Sequence, residues 1–141
     1  VYKIQGQIPR NNGFEGKEAI GTTVDSKNNI IDDYVLDDTA LAITTPEGLI
    51  IITGCSHSGI CNIVEYAKKV TNIDNIVTVI GGFHLQQATN DVLTLTGNYF
   101  NQQNLLQIHP CHCTDLNAKI HLAKYAPVKE VGSGLQLIYP S

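Results

Sequence analysis

Gly48-Leu49-Ile50-Ile51-Ile52-Thr53-Gly54-Cys55-Ser56-His57-Ser58-Gly59-Ile60-Cys61-Asn62-Ile63-Val64 is the stretch that decides the fold. Leu49–Thr53 is a continuous apolar run rich in β-branched residues, the pattern of a strand buried on both faces. The run breaks at Gly54. From Ile60, apolar residues recur at Ile63, Val64, Ala67 and Val70, which is helical spacing, so a helix is predicted over Ile60–Thr71 with Ser58 as a candidate cap. A buried strand that turns sharply into a helix is the unit of an α/β protein.

The same unit recurs downstream. Ile76–Ile80 predicts a second buried strand, ending at Gly81-Gly82-Phe83-His84-Leu85, and a helix is expected over Asn90–Gln103. Leu105–Ile108 predicts a third strand, ending at His109-Pro110-Cys111-His112-Cys113-Thr114-Asp115. Thr114 or Asp115 can cap a helix over Leu116–Tyr125. Two closing strands are expected at Lys129–Val131 and Leu135–Tyr139, around Gly132-Ser133-Gly134. Upstream, Ala40–Thr44 predicts a strand joined to the first by the turn Pro46-Glu47-Gly48. Residues 1–37 are less regular, with strands expected at Gly21–Val24 and Ile30–Leu36 about a turn at Asn28-Asn29.

Composition narrows the function. The chain has 141 residues, 43% hydrophobic and 16% charged, enough apolar material for the core of a single domain over residues 1–141. Nine Lys and Arg stand against thirteen Asp and Glu, a net charge of -4, which disfavours binding of nucleic acid through bulk charge. The apolar run Leu49–Ile52 falls far short of the ~20 residues of a membrane span. No secretory signal is visible, so reduced thiols and a cytoplasmic location are expected. The first residue is Val1 and the chain contains no Met, which sets the expectation of a piece of a longer protein.

Chemistry-bearing residues gather at the strand ends. Of five His and four Cys, only Cys61 and His121 lie outside the three loops that follow the strands. In open α/β sheets, ligands bind beyond the carboxyl ends of strands. Imidazole and thiolate hold Zn²⁺ or iron at ~2.0–2.3 Å, and neighbouring glycines permit the tight turns such ligands need. In Cys111-His112-Cys113, adjacent residues cannot all point at one ion, so His112 is the expected ligand and the two cysteines are expected to pack inward. Cys61 and His121 are expected to be core or helix-surface residues, and His109 to shape the turn before Pro110.

Together these motifs resemble the metallo-β-lactamase superfamily. Asp37-Asp38-Thr39-Ala40-Leu41 and the stretch Gly48–Ile63 are similar to its branch of metal-dependent hydrolases related to dihydropterin-ribofuranosylaminobenzene-phosphate synthase. Gly6-Gln7-Ile8-Pro9-Arg10 with Phe14-Glu15, Gly81–Leu85 and Pro110–Thr114 are similar to that branch's other motifs. The resemblance implies the C-terminal half of a four-layer αββα sandwich with a metal site along one edge. It implies a hydrolase or transferase acting on an ester or phosphate-bearing small molecule, with metal-bound hydroxide as nucleophile. The implied cofactor is zinc, or another divalent transition metal such as Fe or Mn.

The resemblance also assigns residues. His112 matches the last metal-ligand His. Either Cys55 or His57 supplies a further metal ligand, where many relatives carry Gly-Asp. His84 matches a substrate-side His that contacts phosphate or transfers a proton. Arg10 is a candidate clamp for an anionic substrate group, or a surface arginine. The superfamily's His-x-His-x-Asp-His string does not occur in this sequence. An N-terminal half bearing it, upstream in the same protein or separately encoded, is the implied partner, and weak or no turnover is expected of residues 1–141 alone. Homo-oligomerisation through a sheet edge is a second expected association. Two rival readings stay open: a non-catalytic binding or assembly half-domain without a complete metal site, and a Cys/His redox site.

Overall fold

The computed structural model describes residues 1–4 and 7–139. Gly6 of the quoted motif lies outside the described residues. Ten elements follow in order: β1 (Tyr2–Ile4), β2 (Gly21–Val24), β3 (Ile30–Asp33), β4 (Ala40–Thr45), β5 (Gly48–Cys55), α1 (Ile60–Thr71), β6 (Ile76–Gly82), α2 (Asn90–Gln102), β7 (Gln107–Pro110) and α3 (Leu116–Leu122). The α/β class read from the sequence is what the chain adopts.

Five strands form one mixed sheet in the order β1-β4-β5-β6-β7. β1 pairs antiparallel with β4, and β4 with β5. From β5 the sheet is parallel through β6 to β7, because a helix-bearing crossover separates each of these strands. β2 and β3 form a separate two-stranded hairpin.

The sheet has two unlike faces. Ala42, Ile51, Val79 and Ile108 lie in one cross-strand row, all essentially inaccessible to solvent. They share a core with Ile60, Ile63, Val64 and Ala67 of α1 and Leu93 and Phe100 of α2. The adjacent row on the other face is Leu41, Ile52 and Ile80. Leu41 is exposed, Ile52 and Ile80 are half-buried, and the row continues to the buried His109.

Several boundaries differ from expectation. α1 starts at Ile60 as predicted, but Ser58 does not cap it: the cap residue is Gly59, with no side-chain cap hydrogen bond. The Glu15 carboxylate, from a distant loop, accepts the backbone N–H of Cys61 and Asn62 at 3.1 and 3.2 Å. Gly59 has φ +98, and a Cβ there would meet the Glu15 side chain at 2.3 Å. Asp115 caps α3 as expected, accepting from Ala118 N at 2.8 Å. α3 ends at Leu122 rather than continuing to Tyr125.

The third strand begins two residues late, since the ladder opens at the Gln107–Thr78 pair. The two closing strands do not form. Val128 makes only an isolated bridge to Ile108, and the chain then turns at Ser133-Gly134. The segment still touches the sheet, with the Tyr139 hydroxyl donating to Thr78 Oγ1 at 3.0 Å.

Candidate metal centre

Three parallel strands, β5, β6 and β7, end side by side, so their following loops meet at one rim. Backbone hydrogen bonds stitch the loops together. Ser56 N and Oγ both donate to the Gly82 carbonyl, at 3.0 and 2.6 Å. Leu85 N and Gln86 N donate to the Cys113 carbonyl, at 2.8 and 3.0 Å. Phe83 N donates to Thr114 Oγ1 at 3.1 Å. Gly82 sits at the crossing: a Cβ there would lie 2.5 Å from the Gly54 carbonyl and 3.0 Å from Cys113 Sγ.

These loops bring Cys55, His57, His84, His112 and Cys113 together. Cys55 Sγ lies 3.3 Å from His84 Nδ1 and 2.7 Å from Cys113 Sγ. The His57 and His84 rings meet edge to face with centroids 4.9 Å apart. Two sets of three donor atoms each fall within 4.8 Å of one another: Cys55, His57 and His84, and Cys55, His112 and Cys113. Imidazole nitrogen and thiolate sulfur converging this closely on a partly open rim are a donor set that fits a divalent transition metal.

Asp38 holds one edge of the cluster. Its Oδ1 is 2.8 Å from His57 Nδ1, and its Oδ2 accepts from Ser58 N and Oγ at 2.6 and 2.8 Å. A carboxylate only accepts, so His57 Nδ1 carries the hydrogen and Nε2 is the ring atom left for a cation. This carboxylate–histidine arrangement is how metal-ligating imidazoles are oriented. The sequence carries no signal that pairs Asp38 with a histidine. Its partner lies 19 residues away and no periodicity links the two.

Electrostatics follow burial. Desolvation, then the neighbouring Cys113 thiol, pushes Cys55 up to about 12, so without a cation it is a neutral thiol. Desolvation and the neighbouring His57 lower His84 below the usual histidine value, so its ring is neutral at pH 7.

The other sequence-predicted residues lie elsewhere. Arg10 donates to the backbone carbonyl of Gly16 at 2.7 Å and to that of Tyr34, fastening the first loop to the segment after β3. Its guanidinium is engaged in the scaffold. His57 and His84 line a cavity of about 450 Å³ together with Phe14, Lys17, Glu18 and Asp91, so its wall carries one cation and two carboxylates. Cys113, expected to pack inward, instead joins the cluster. Cys61 is buried in the core, and His121 stacks on Tyr125. His109 sits inside β7 rather than shaping a turn, its Nδ1 donating to the Glu130 carbonyl at 3.1 Å. A larger cleft of about 780 Å³, between α3 and residues 128–135, contains no His or Cys.

Comparison with known proteins places this geometry. No family model matches the chain. It is 38% identical over 106 residues to 7,8-dihydropterin-6-methyl-4-(β-D-ribofuranosyl)-aminobenzene-5′-phosphate synthase of Methanocaldococcus jannaschii, covering 75% of this chain and 36% of that protein. An uncharacterised protein of the same organism is 38% identical over 121 residues, 86% of this chain and 43% of the other. A crystal structure of Tm1679, a metal-dependent hydrolase of the β-lactamase superfamily, superposes with a TM-score of 0.83 at 29% identity. That match covers 96% of this chain and 52% of the other. The chain thus spans about half the length, or less, of the relatives it matches. The fold is that of the metallo-β-lactamase superfamily, and the sequence is similar to the pterin-related synthase.

Proposed function

We propose that this chain forms one domain, and about half of the catalytic unit, of a metal-dependent hydrolase or transferase acting on an ester or phosphate-bearing small molecule. The observation that carries the reading is the convergence of Cys55, His57, His84 and His112 at the ends of three adjacent parallel strands. His57, oriented by Asp38, and His112 lie in two donor sets that share Cys55, and these sets would hold the metal, zinc by the chemistry of the donors. A divalent cation held there would supply Lewis-acid polarisation of the scissile oxygen and would lower the pKa of its bound water to about 7.

The chain's own residues do the rest. His84, neutral at pH 7, offers a hydrogen bond to charge developing on the substrate. The cavity beside it has room for a small molecule. The remaining ligands come from the upstream His-x-His-x-Asp-His segment. The half-exposed row Leu41, Ile52 and Ile80 supports that partnership, since an apolar sheet face packs against a second sheet.

The test is hydrolysis of chromogenic esters and phosphodiesters by the protein at full length. Turnover is expected to vanish on chelation, to return with zinc, and to fall about 10²–10⁴-fold in His84→Ala. Turnover indifferent to chelation would overturn the reading. The same apolar row favours the non-catalytic assembly reading if no cation binds at all.

A further inference from the structure

We propose that Cys55, His112 and Cys113 form a thiolate-rich cation site in which Cys113 is a direct ligand, so the chain selects a soft divalent cation of the zinc class over hard cations such as magnesium and manganese. The proposal rests on the reading of this rim as a metal centre and adds a ligand and a selectivity to it.

Four observations converge. The Sγ atoms of Cys55 and Cys113 face each other at 2.7 Å, and His112 brings its imidazole within 4.8 Å of both. Thiols are weak donors and weak acceptors, so two of them gain little from each other's company. Cys113 adopts φ +46, in the left-handed region that a non-glycine residue enters at a conformational cost. That turn swings its sulfur to the same side as the adjacent His112, which the ordinary alternation of an extended segment forbids. The position is then locked from outside, by Leu85 N and Gln86 N on the Cys113 carbonyl. Finally, Gly82 leaves room for the sulfur: a side chain there would press on Sγ at 3.0 Å.

Selectivity follows from the donors. Thiolate prefers zinc and other soft cations, whereas magnesium and manganese favour carboxylate, carbonyl and water oxygen. Neither of the two donor sets on this rim includes a carboxylate. Asp38 belongs to neither set, its two oxygens occupied by His57 and Ser58.

The test is cobalt(II) titration of the reduced, metal-free protein at full length, followed by visible and near-ultraviolet absorption. One equivalent of cobalt is expected to raise a sulfur-to-metal charge-transfer band, which zinc abolishes and excess magnesium leaves unchanged. Cys113→Ser should weaken that band and lower cobalt affinity ~10-fold or more, while Cys111→Ser changes neither. Urea midpoints of both variants verify that they fold. Cobalt bound without a sulfur band, or equal behaviour of the Cys113 and Cys111 variants, overturns the proposal. If that cobalt is lost in His57→Ala, the hydrolase reading survives; if no cobalt binds at all, both fall.

Discussion

Asp38 sits where two functions meet: one oxygen orients His57 and the other holds the start of the loop through Ser58. Replacing it with Ala frees the His57 ring and leaves a buried N–H without its partner. Zinc affinity, read by competition with a chromogenic chelator, should fall about 10–100-fold in Asp38→Ala. An unchanged affinity would mean that His57 is no ligand. Glu15 is the second instructive residue. Burial pushes its carboxyl above the usual value, against hydrogen bonds from Asn12, Cys61 and Asn62 that pull the other way. Because the folded chain holds this proton to higher pH than the unfolded chain, the group's contribution to stability declines as pH rises above about 4.5. Glu15→Gln cannot ionise, so the difference in urea midpoint between variant and parent should vary with pH across that window and flatten below it. A difference independent of pH would contradict the account.

At the scale of elements, the strands and helices around the decisive stretch followed from periodicity alone. β5 and α1 combine apolar runs with clear glycine breaks, and the structure places them where the pattern did. The C-terminal strands were not legible, because their alternation is satisfied by a single bridge at Val128 and by side-chain contacts such as Tyr139 to Thr78. The start of β7 was misplaced because Leu105 packs into the core before the ladder begins. Within the loops, residue type signalled Cys55, His57, His84 and His112. Cys113 escaped because its left-handed backbone reverses the alternation on which the reading relied. The close crossing of the three loops makes its own prediction. Gly82→Ala forces a methyl group against the Gly54 and His112 carbonyls, at 2.5 and 2.9 Å. It should cost about 1–3 kcal/mol in urea unfolding. It should also weaken cation binding more than substitutions of exposed residues on α2 do; a fully stable, fully binding variant would mean that the loops are not packed as described.

For the whole molecule, the mixed sheet acts as a platform with one covered face and one half-exposed apolar face, and the clustered His and Cys side chains lie at the end where its parallel strands stop. Among the described residues no helix is long and apolar enough to cross a membrane. The chain matches about half of a metal-dependent hydrolase of the β-lactamase superfamily, and the donors found here are those that this half contributes to the proposed centre. The most direct test is elemental analysis of the purified full-length protein beside its His112→Ala variant, after dialysis against a weak chelator. The account predicts tightly held zinc in the parent and a clear loss in the variant, with the fold retained by circular dichroism. Equal metal in the two proteins, or none in the parent even after zinc is supplied, would contradict it.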